Sequence, residues 1–209
     1  MTILWDWNGT LLSDVELVVR MNNLVFATHG YPPTTEEEYR RLFRFPVREY
    51  YYALGVTPED FVQIAREWND AYMEHFPGTP LAKGAPDALR RFREAGFRQV
   101  IISASQRDQL LRQVRSFPEL EGLFDEVLGL EDVYAVSKVQ LAKDYLARSG
   151  VQPDEAVFLG DTDHDAEVAR AIGCRCYLIS GGHQTDDTLR RSGANVLGRL
   201  SELYPILGV

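Results

Sequence analysis

Five residues have types and placements that can do chemistry together: Asp6, Ser103, Lys138, Asp161 and Asp165. Asp6 closes a short apolar run at residues 2–5 and leads into Trp7-Asn8-Gly9-Thr10-Leu11. Ser103 closes a second run at 99–102. A third, at 156–159, opens into Gly160-Asp161-Thr162-Asp163-His164-Asp165. A carboxylate at a strand tip can attack phosphorus and hold the phosphoryl group as an acyl phosphate. Two carboxylates four residues apart, Asp161 and Asp165, can face one way and offer oxygen ligands to a hard cation. Mg²⁺ there would let an anionic nucleophile approach an anionic phosphate. Ser103 and the backbone N–H of Ala104 can hold a phosphate oxygen, and Lys138 adds positive charge to the same group.

These residues need elements that bring them to one place. Runs at 2–5, 99–102, 126–128, 156–159, 175–179 and 194–197 are short, rich in Val, Ile and Leu, and mostly lack polar alternation. That is the pattern of strands covered on both faces. Between them lie amphipathic stretches at 86–95, 139–149 and 165–172, ended by Gly96, Gly150 and Gly173. Lys138 stands at the opening of the second of these. The alternation predicts an α/β fold, a doubly wound parallel sheet, whose ligand site lies at the carboxyl ends of the strands.

Residues 14–81 read differently. A helical stripe runs through Val15, Val18, Val19, Val25 and Phe26, and another through Phe61, Ile64, Trp68, Tyr72 and Phe76. Thr57 can cap the second, and Pro58 suits its first turn. Shorter helices are expected at 36–43 and 47–54. The expectation is therefore a core of 1–13 and 82–209 with a small α-helical cap, 14–81, inserted after the first strand and closing over its end.

Composition bounds the function. The chain has 209 residues, 45% hydrophobic and 25% charged, enough for a packed core. A net charge of −9 argues against a nucleic-acid partner, because phosphate backbones need a basic face. An acidic protein with an anionic substrate needs a local cation, which a bound metal supplies. No apolar run has the length of a membrane span. The first residues lack the pattern of a secretory signal. Two cysteines, Cys174 and Cys176, are too few for a disulfide framework and read as buried packing residues. The expectation is a cytoplasmic monomer or homodimer whose partner is a small phosphorylated metabolite, with neither nucleic acid nor membrane involved.

The ordered motifs resemble those of the haloacid dehalogenase (HAD) superfamily, in the phosphoglycolate phosphatase-like branch with a helical cap after the first motif. Asp6-Trp7-Asn8-Gly9-Thr10 matches the family's Asp-x-Asp-Gly-Thr with one change. Val100-Ile101-Ile102-Ser103, Lys138 and Gly160 to Asp165 match its other three motifs. The resemblance covers essentially the whole chain. It implies a Mg²⁺-dependent phosphohydrolase in which Asp6 is nucleophile and metal ligand. The Asn8 carbonyl, Asp161 and Asp165 would complete the metal set, Asp165 directly or through water. Ser103 and Lys138 would position the phosphate, with Thr10 and Ala104 beside them. Arg48 resembles a cap position that contacts substrate in some relatives, and a solvated charge is an equal reading.

Asn8 departs from the family. The phosphatases carry an Asp there, which protonates the leaving oxygen and then activates water, and an amide can do neither. General acid–base catalysis is worth about 10² to 10⁴ in rate. Either the leaving group is already stable as an anion, or another group such as His164 or a cap residue supplies the proton. The alternative reading is a catalytically weakened or inactive protein of this fold that binds a phosphorylated ligand. His164 and His183 read as surface or hydrogen-bonding residues, and Trp5, Trp7 and Trp68 as packing.

Overall fold

The computed structural model describes residues 1–131 and 137–209. In chain order the strands and α-helices are β1 (Thr2–Trp5), α1 (Val15–His29), α2 (Glu36–Leu42), α3 (Arg48–Ala53), α4 (Pro58–His75), α5 (Ala85–Glu94), β2 (Arg98–Gln106), α6 (Arg107–Arg115), β3 (Glu126–Leu130), α7 (Lys138–Ser149), β4 (Ala156–Gly160), α8 (Asp163–Ile172), β5 (Arg175–Ile179), α9 (Asp186–Arg191), β6 (Asn195–Leu197) and α10 (Leu203–Leu207). The six strands form one sheet in the order β3-β2-β1-β4-β5-β6, and every neighbouring pair is parallel.

The central strands β1 and β4, with residues 100–102 of β2, are apolar and buried because both faces are covered. Successive residues point to opposite sides. Ile3, Trp5, Ile101, Val157 and Leu159 face a core that includes Ala88, Leu89 and Phe92 of α5. Leu4, Val100, Ile102 and Phe158 face a second core that includes Ala142 and Tyr145 of α7 and Val168 and Ala169 of α8. This is the doubly wound arrangement expected from the sequence. Gln99 is a fully buried polar side chain at the start of β2, and it is fully satisfied. It accepts from Trp5 Nε1 at 3.2 Å and donates to the Leu89 and Leu123 carbonyls at 2.9 and 3.1 Å.

β2 runs four residues past the apolar stretch that announces it. Its register shifts between Ile102 and Gln106, where Gln106 pairs with Leu130. The polar extension Ser103-Ala104-Ser105-Gln106 gives no apolar signal, although it carries the strand into the site. α6 follows at once, and with arginines at both ends and few apolar positions it too is hard to see in sequence.

The four helices α1 to α4 lie between β1 and α5. The two chain connections run side by side at the sheet edge: Ser13 N donates to the Pro80 carbonyl at 2.9 Å and Ala82 N to the Leu11 carbonyl at 2.8 Å. α1 and α4 pack on each other through the two predicted stripes, with Val18, Val25, Ile64 and Tyr72 buried. Thr57 caps α4 by accepting from Asp60 N at 3.2 Å, with Pro58 in the first turn. Such a cap is worth about 1 kcal/mol. Trp5 and Trp7 are fully buried packing residues. Cys174 and Cys176 are free and half-buried rather than buried, because they stand at and just before the exposed start of β5. Among the described residues, no helix is long and apolar enough to cross a membrane.

Candidate active site

β1 is central, with β2 and β4 on either side. Their carboxyl ends therefore deliver Asp6, Ser103 and Asp161 to one edge. Lys138 opens α7, whose start is fixed by Ser137 accepting from Gln140 N at 3.2 Å. Its buried ammonium donates to Asp165 Oδ1 at 2.6 Å and to Asp6 Oδ1.

Asp165 belongs to the capping box of α8. Its Oδ2 accepts from Asp161 N at 3.1 Å, Thr162 N at 3.0 Å and Thr162 Oγ1 at 2.7 Å. Both its oxygens are thus committed to the protein. Asp161 is held from two sides: Oδ1 accepts from Thr10 Oγ1 at 3.2 Å and Oδ2 from His183 N at 2.6 Å. Gly9 explains how the loop approaches this closely. Its φ is +71°, and a Cβ there would collide with the Asp161 carboxylate and the His183 ring.

Asp6, Asp161 and Asp165 each offer a carboxylate oxygen within 4.8 Å of the others. Burial holds the Asp6 carboxyl well above the ordinary carboxylate range. The Lys138 ammonium pulls it down, and Asp165 and Asp161 push it back up. Burial and the neighbouring Asp165 likewise lift Asp161 to about 6, against the pull of His183. Burial would raise Asp165 too, but Lys138 overrides it and keeps this carboxyl low. The same two carboxylates keep Lys138 protonated despite its burial. Three carboxylates around one ammonium leave a negative excess in a buried place, and every donor is a hard oxygen. A divalent cation such as Mg²⁺ fits that donor set. Asp6 and Asp161 are the carboxylates that could ligate it directly, since Asp165 already makes four contacts with the protein.

The other sequence candidates fall into two groups. Ser103 is buried at the site, its Oγ accepting from Ser105 N at 3.1 Å, and Ala104 lines the same pocket. The Asn8 side chain is fully engaged: Nδ2 donates to Asp14 Oδ2 at 2.8 Å and Tyr72 Oη at 3.1 Å, and Oδ1 accepts from Ser105 Oγ at 2.9 Å. Thr10 and Arg48 are not brought to the pocket. Thr10 is turned inward to hold Asp161, and Arg48 is exposed at the start of α3, 3.6 Å from Glu49. His164 also stays outside the pocket lining. It stacks on Phe45 at 4.6 Å and pairs with Glu167 at 3.1 Å.

Residues that sequence reasoning missed stand next to Asn8. Asp14 precedes α1 like an N-cap, yet makes no cap bond. Its carboxylate instead accepts from Gly9 N at 2.9 Å, Asn8 Nδ2 and Tyr72 Oη at 2.8 Å, and pairs with His183 Nε2 at 3.2 Å. His183 is buried, with Tyr39 Oη 2.7 Å from Nδ1. Burial alone would strip its proton; Asp14 holds it on and lifts the imidazole to about 9. Asp14 in turn stays ionised, His183 outweighing the burial penalty. Only an acid ahead of an apolar helix and a lone histidine mark these two in sequence, and both have commoner meanings.

Above this edge a cavity of about 400 Å³ is walled by α1 to α4, with Tyr39, Phe43, Tyr50, Phe61, Trp68 and Tyr72 among its lining. Trp68 stacks on Tyr72 at 5.0 Å. A concave, largely apolar pocket with a few convergent polar groups and shifted titrations is what a small-molecule site looks like.

Known proteins share this construction. The sequence profile of the haloacid dehalogenase-like hydrolases matches residues 3–179, and the chain belongs to that family. A phosphoglycolate phosphatase of Synechococcus elongatus is 25% identical over 190 residues, covering 90% of this chain and 87% of that one. A pyrophosphatase of Bacillus pumilus is 26% identical, covering 99% and 96%. The fold recurs, at 18% identity and a TM-score of 0.87, in a haloacid dehalogenase-like family protein of Streptococcus pneumoniae, with 99% and 97% of the two chains covered.

Proposed function

We propose that the protein is a Mg²⁺-dependent phosphohydrolase of a small phosphorylated metabolite that works through an aspartyl-phosphate on Asp6. The observation that carries this reading is the grouping of Lys138 with Asp6, Asp161 and Asp165 at the floor of a concave pocket. The names of the relatives, a phosphoglycolate phosphatase and a pyrophosphatase, agree on phosphate release and differ in leaving group. The two free cysteines suit the cytoplasm.

Asp6 is the nucleophile. One of its oxygens forms a bond to phosphorus as the bond to the leaving oxygen breaks, and that oxygen departs with the electron pair. Lys138, the Ser103 hydroxyl and the amide of Ala104 hold the phosphoryl oxygens while this happens. Mg²⁺ at Asp6, the Asn8 carbonyl and Asp161 would favour the ionised Asp6 carboxylate against the burial and the neighbouring carboxylates that raise it. Water then attacks phosphorus, and Asp6 is released with inorganic phosphate. Residues 14–81 act as a cap whose closure keeps other water away from the acyl phosphate.

Asn8 sets the tempo. Both its amide hydrogens are already donated, so it neither protonates a leaving group nor takes a proton from water. Attack needs only position and a tolerable leaving group, whereas hydrolysis of the aspartyl-phosphate needs a base. Rapid mixing with 4-nitrophenyl phosphate and Mg²⁺ should give a nitrophenolate burst that approaches one per site, followed by slow turnover. Trapped phosphoenzyme should be lost in Asp6→Asn. Absence of Mg²⁺-dependent phosphate release from aryl, acyl and alkyl phosphates would overturn the assignment.

A further inference from the structure

We infer that the substrate of this site is an aryl phosphate, with the phosphoryl group on a phenolic oxygen of an uncharged ring. The inference rests on the phosphohydrolase reading and deepens it, and two independent observations meet in it.

The first is the wall facing the phosphate end. Phe43, Tyr50, Phe61, Ala65, Trp68 and Tyr72 present rings and apolar carbon, and the polar groups between them are neutral carboxamides such as Asn22, Asn69 and Gln109. Among the described residues lining the cavity, the only cationic side chains are Lys138 and His183. Lys138 is taken by Asp6 and Asp165, and His183 by Asp14. A second anionic group on the substrate, such as the carboxylate of phosphoglycolate, would find no free cation here and would lie near the Asp14 carboxylate. Rings stack on this wall in offset or edge geometry, as Trp68 and Tyr72 already do with each other. The space, about 400 Å³, admits a one- or two-ring group beside the phosphate.

The second observation is Asn8. With no acid at that position, and with the His183 imidazolium held by Asp14, the leaving oxygen departs as an anion. A phenolate is far less basic than an alkoxide, its conjugate acid having a pKa near that of a tyrosine side chain, about 10. The bond from Asp6 oxygen to phosphorus forms, the bond from phosphorus to the aryl oxygen breaks, and the phenolate then takes its proton from water. The pocket chooses the ring, and the missing acid selects against alkyl esters of the same ring.

The test pairs turnover with binding. Steady-state kinetics with Mg²⁺ would compare 1-naphthyl phosphate, phenyl phosphate, benzyl phosphate, acetyl phosphate and phosphoglycolate. The aryl phosphates should give the highest kcat/KM. Benzyl phosphate, with a ring but an alkoxide leaving group, should lose about 10²-fold or more in kcat/KM, the scale of a missing general acid, and should give no burst, because hydrolysis of the phosphoenzyme is common to every substrate. Calorimetry on the same Mg²⁺-loaded protein should show phenylphosphonate binding about ten-fold or more tighter than phosphonoacetate, a margin that pocket contacts readily supply. Ala65→Phe, which fills the wall, should raise KM for 1-naphthyl phosphate about ten-fold relative to KM for acetyl phosphate. Preference for phosphoglycolate, or tighter binding of phosphonoacetate, would overturn the aryl assignment while sparing the phosphohydrolase reading. No phosphate release from any ester would instead sink that reading, and calorimetry would still decide which ligand class the pocket takes.

Discussion

The two halves of the pocket are built on different terms. The floor is made of strand ends and two helix starts, and there almost every polar atom has a named partner: Lys138 with two carboxylates, Asp165 with four donors, Asp161 with Thr10 and His183. The wall is made of helix faces, and its side chains meet through ring contacts at centroid separations of 5 to 6 Å, with hydrogen bonds at the tyrosine hydroxyls. A floor fixed by directional bonds on rigid elements tolerates little change, which suits chemistry. A wall fixed by shape and area can be altered residue by residue, and that suits selection among substrates. Asn8, Asp14, Tyr72 and His183 form the seam between them.

The largest effect should come from the floor. Asp6→Asn keeps the shape of the side chain and removes the proposed nucleophile, so phosphate release should fall by about 10⁴ or more, the scale seen when a covalent nucleophile is removed. Thermal melting would show that the fold survives. Activity within ten-fold of the parent would place the chemistry elsewhere. Next is the metal. Asp161→Asn can still accept from His183 N while removing one negative charge, so the Mg²⁺-induced rise in melting temperature should vanish. In the parent that stabilisation should reach about 2.7 kcal/mol at 100 times Kd. A Mg²⁺ shift unchanged in the variant would show that the ion binds away from this cluster.

The seam gives the third. Asn8→Asp puts a carboxylate where Nδ2 now stands, 2.8 Å from Asp14. Two carboxylates that close cannot both ionise, so the pair retains a proton at neutral pH, which is the property of a general acid. Turnover of benzyl phosphate should rise about 10²-fold. The lost hydrogen bond and the like-charge contact should lower stability by about 1–3 kcal/mol. A folded variant with unchanged turnover would mean that an acid and base already operate at this site, with His183 the first residue to examine.

The smallest effect should lie far from either half. Asp125 sits at the opposite end of the sheet, accepting from Gln99 N at 2.8 Å and pairing with Arg93 at 2.9 Å. Partial burial would raise its carboxyl, but these donors outweigh it and hold it low. A depressed carboxyl stabilises the fold above its ordinary range near pH 4, and that contribution is lost as pH falls through the folded value. The melting-temperature difference between the parent and Asp125→Asn should therefore be modest at pH 7 and shrink on approach to pH 3. The kcat and KM of the variant should match the parent. A change in kinetics would show that the floor is coupled to the whole sheet rather than to its carboxyl edge.

What the sequence determined by itself is the floor. Asp6, Ser103, Lys138, Asp161 and Asp165 are legible because each directly follows or opens an apolar or amphipathic run, and a parallel sheet sends all such ends to one edge. The six strands and the stripes of α1 and α4 were legible for the same reason: their periods are local. The tertiary structure decided the rest. Ser103 to Gln106 continue β2 only through pairing with β3, a long-range bond with no local pattern. Thr10 turns inward and Arg48 outward, a choice set by neighbours that spacing does not reveal. Tyr39 and His183 meet across 144 residues, and Asp14 gives up a helix cap to pair with that histidine. The physical reason is that backbone pattern fixes where a chain segment ends, while the partner of a buried charge is whichever group the packing of separate elements brings within about 3 Å.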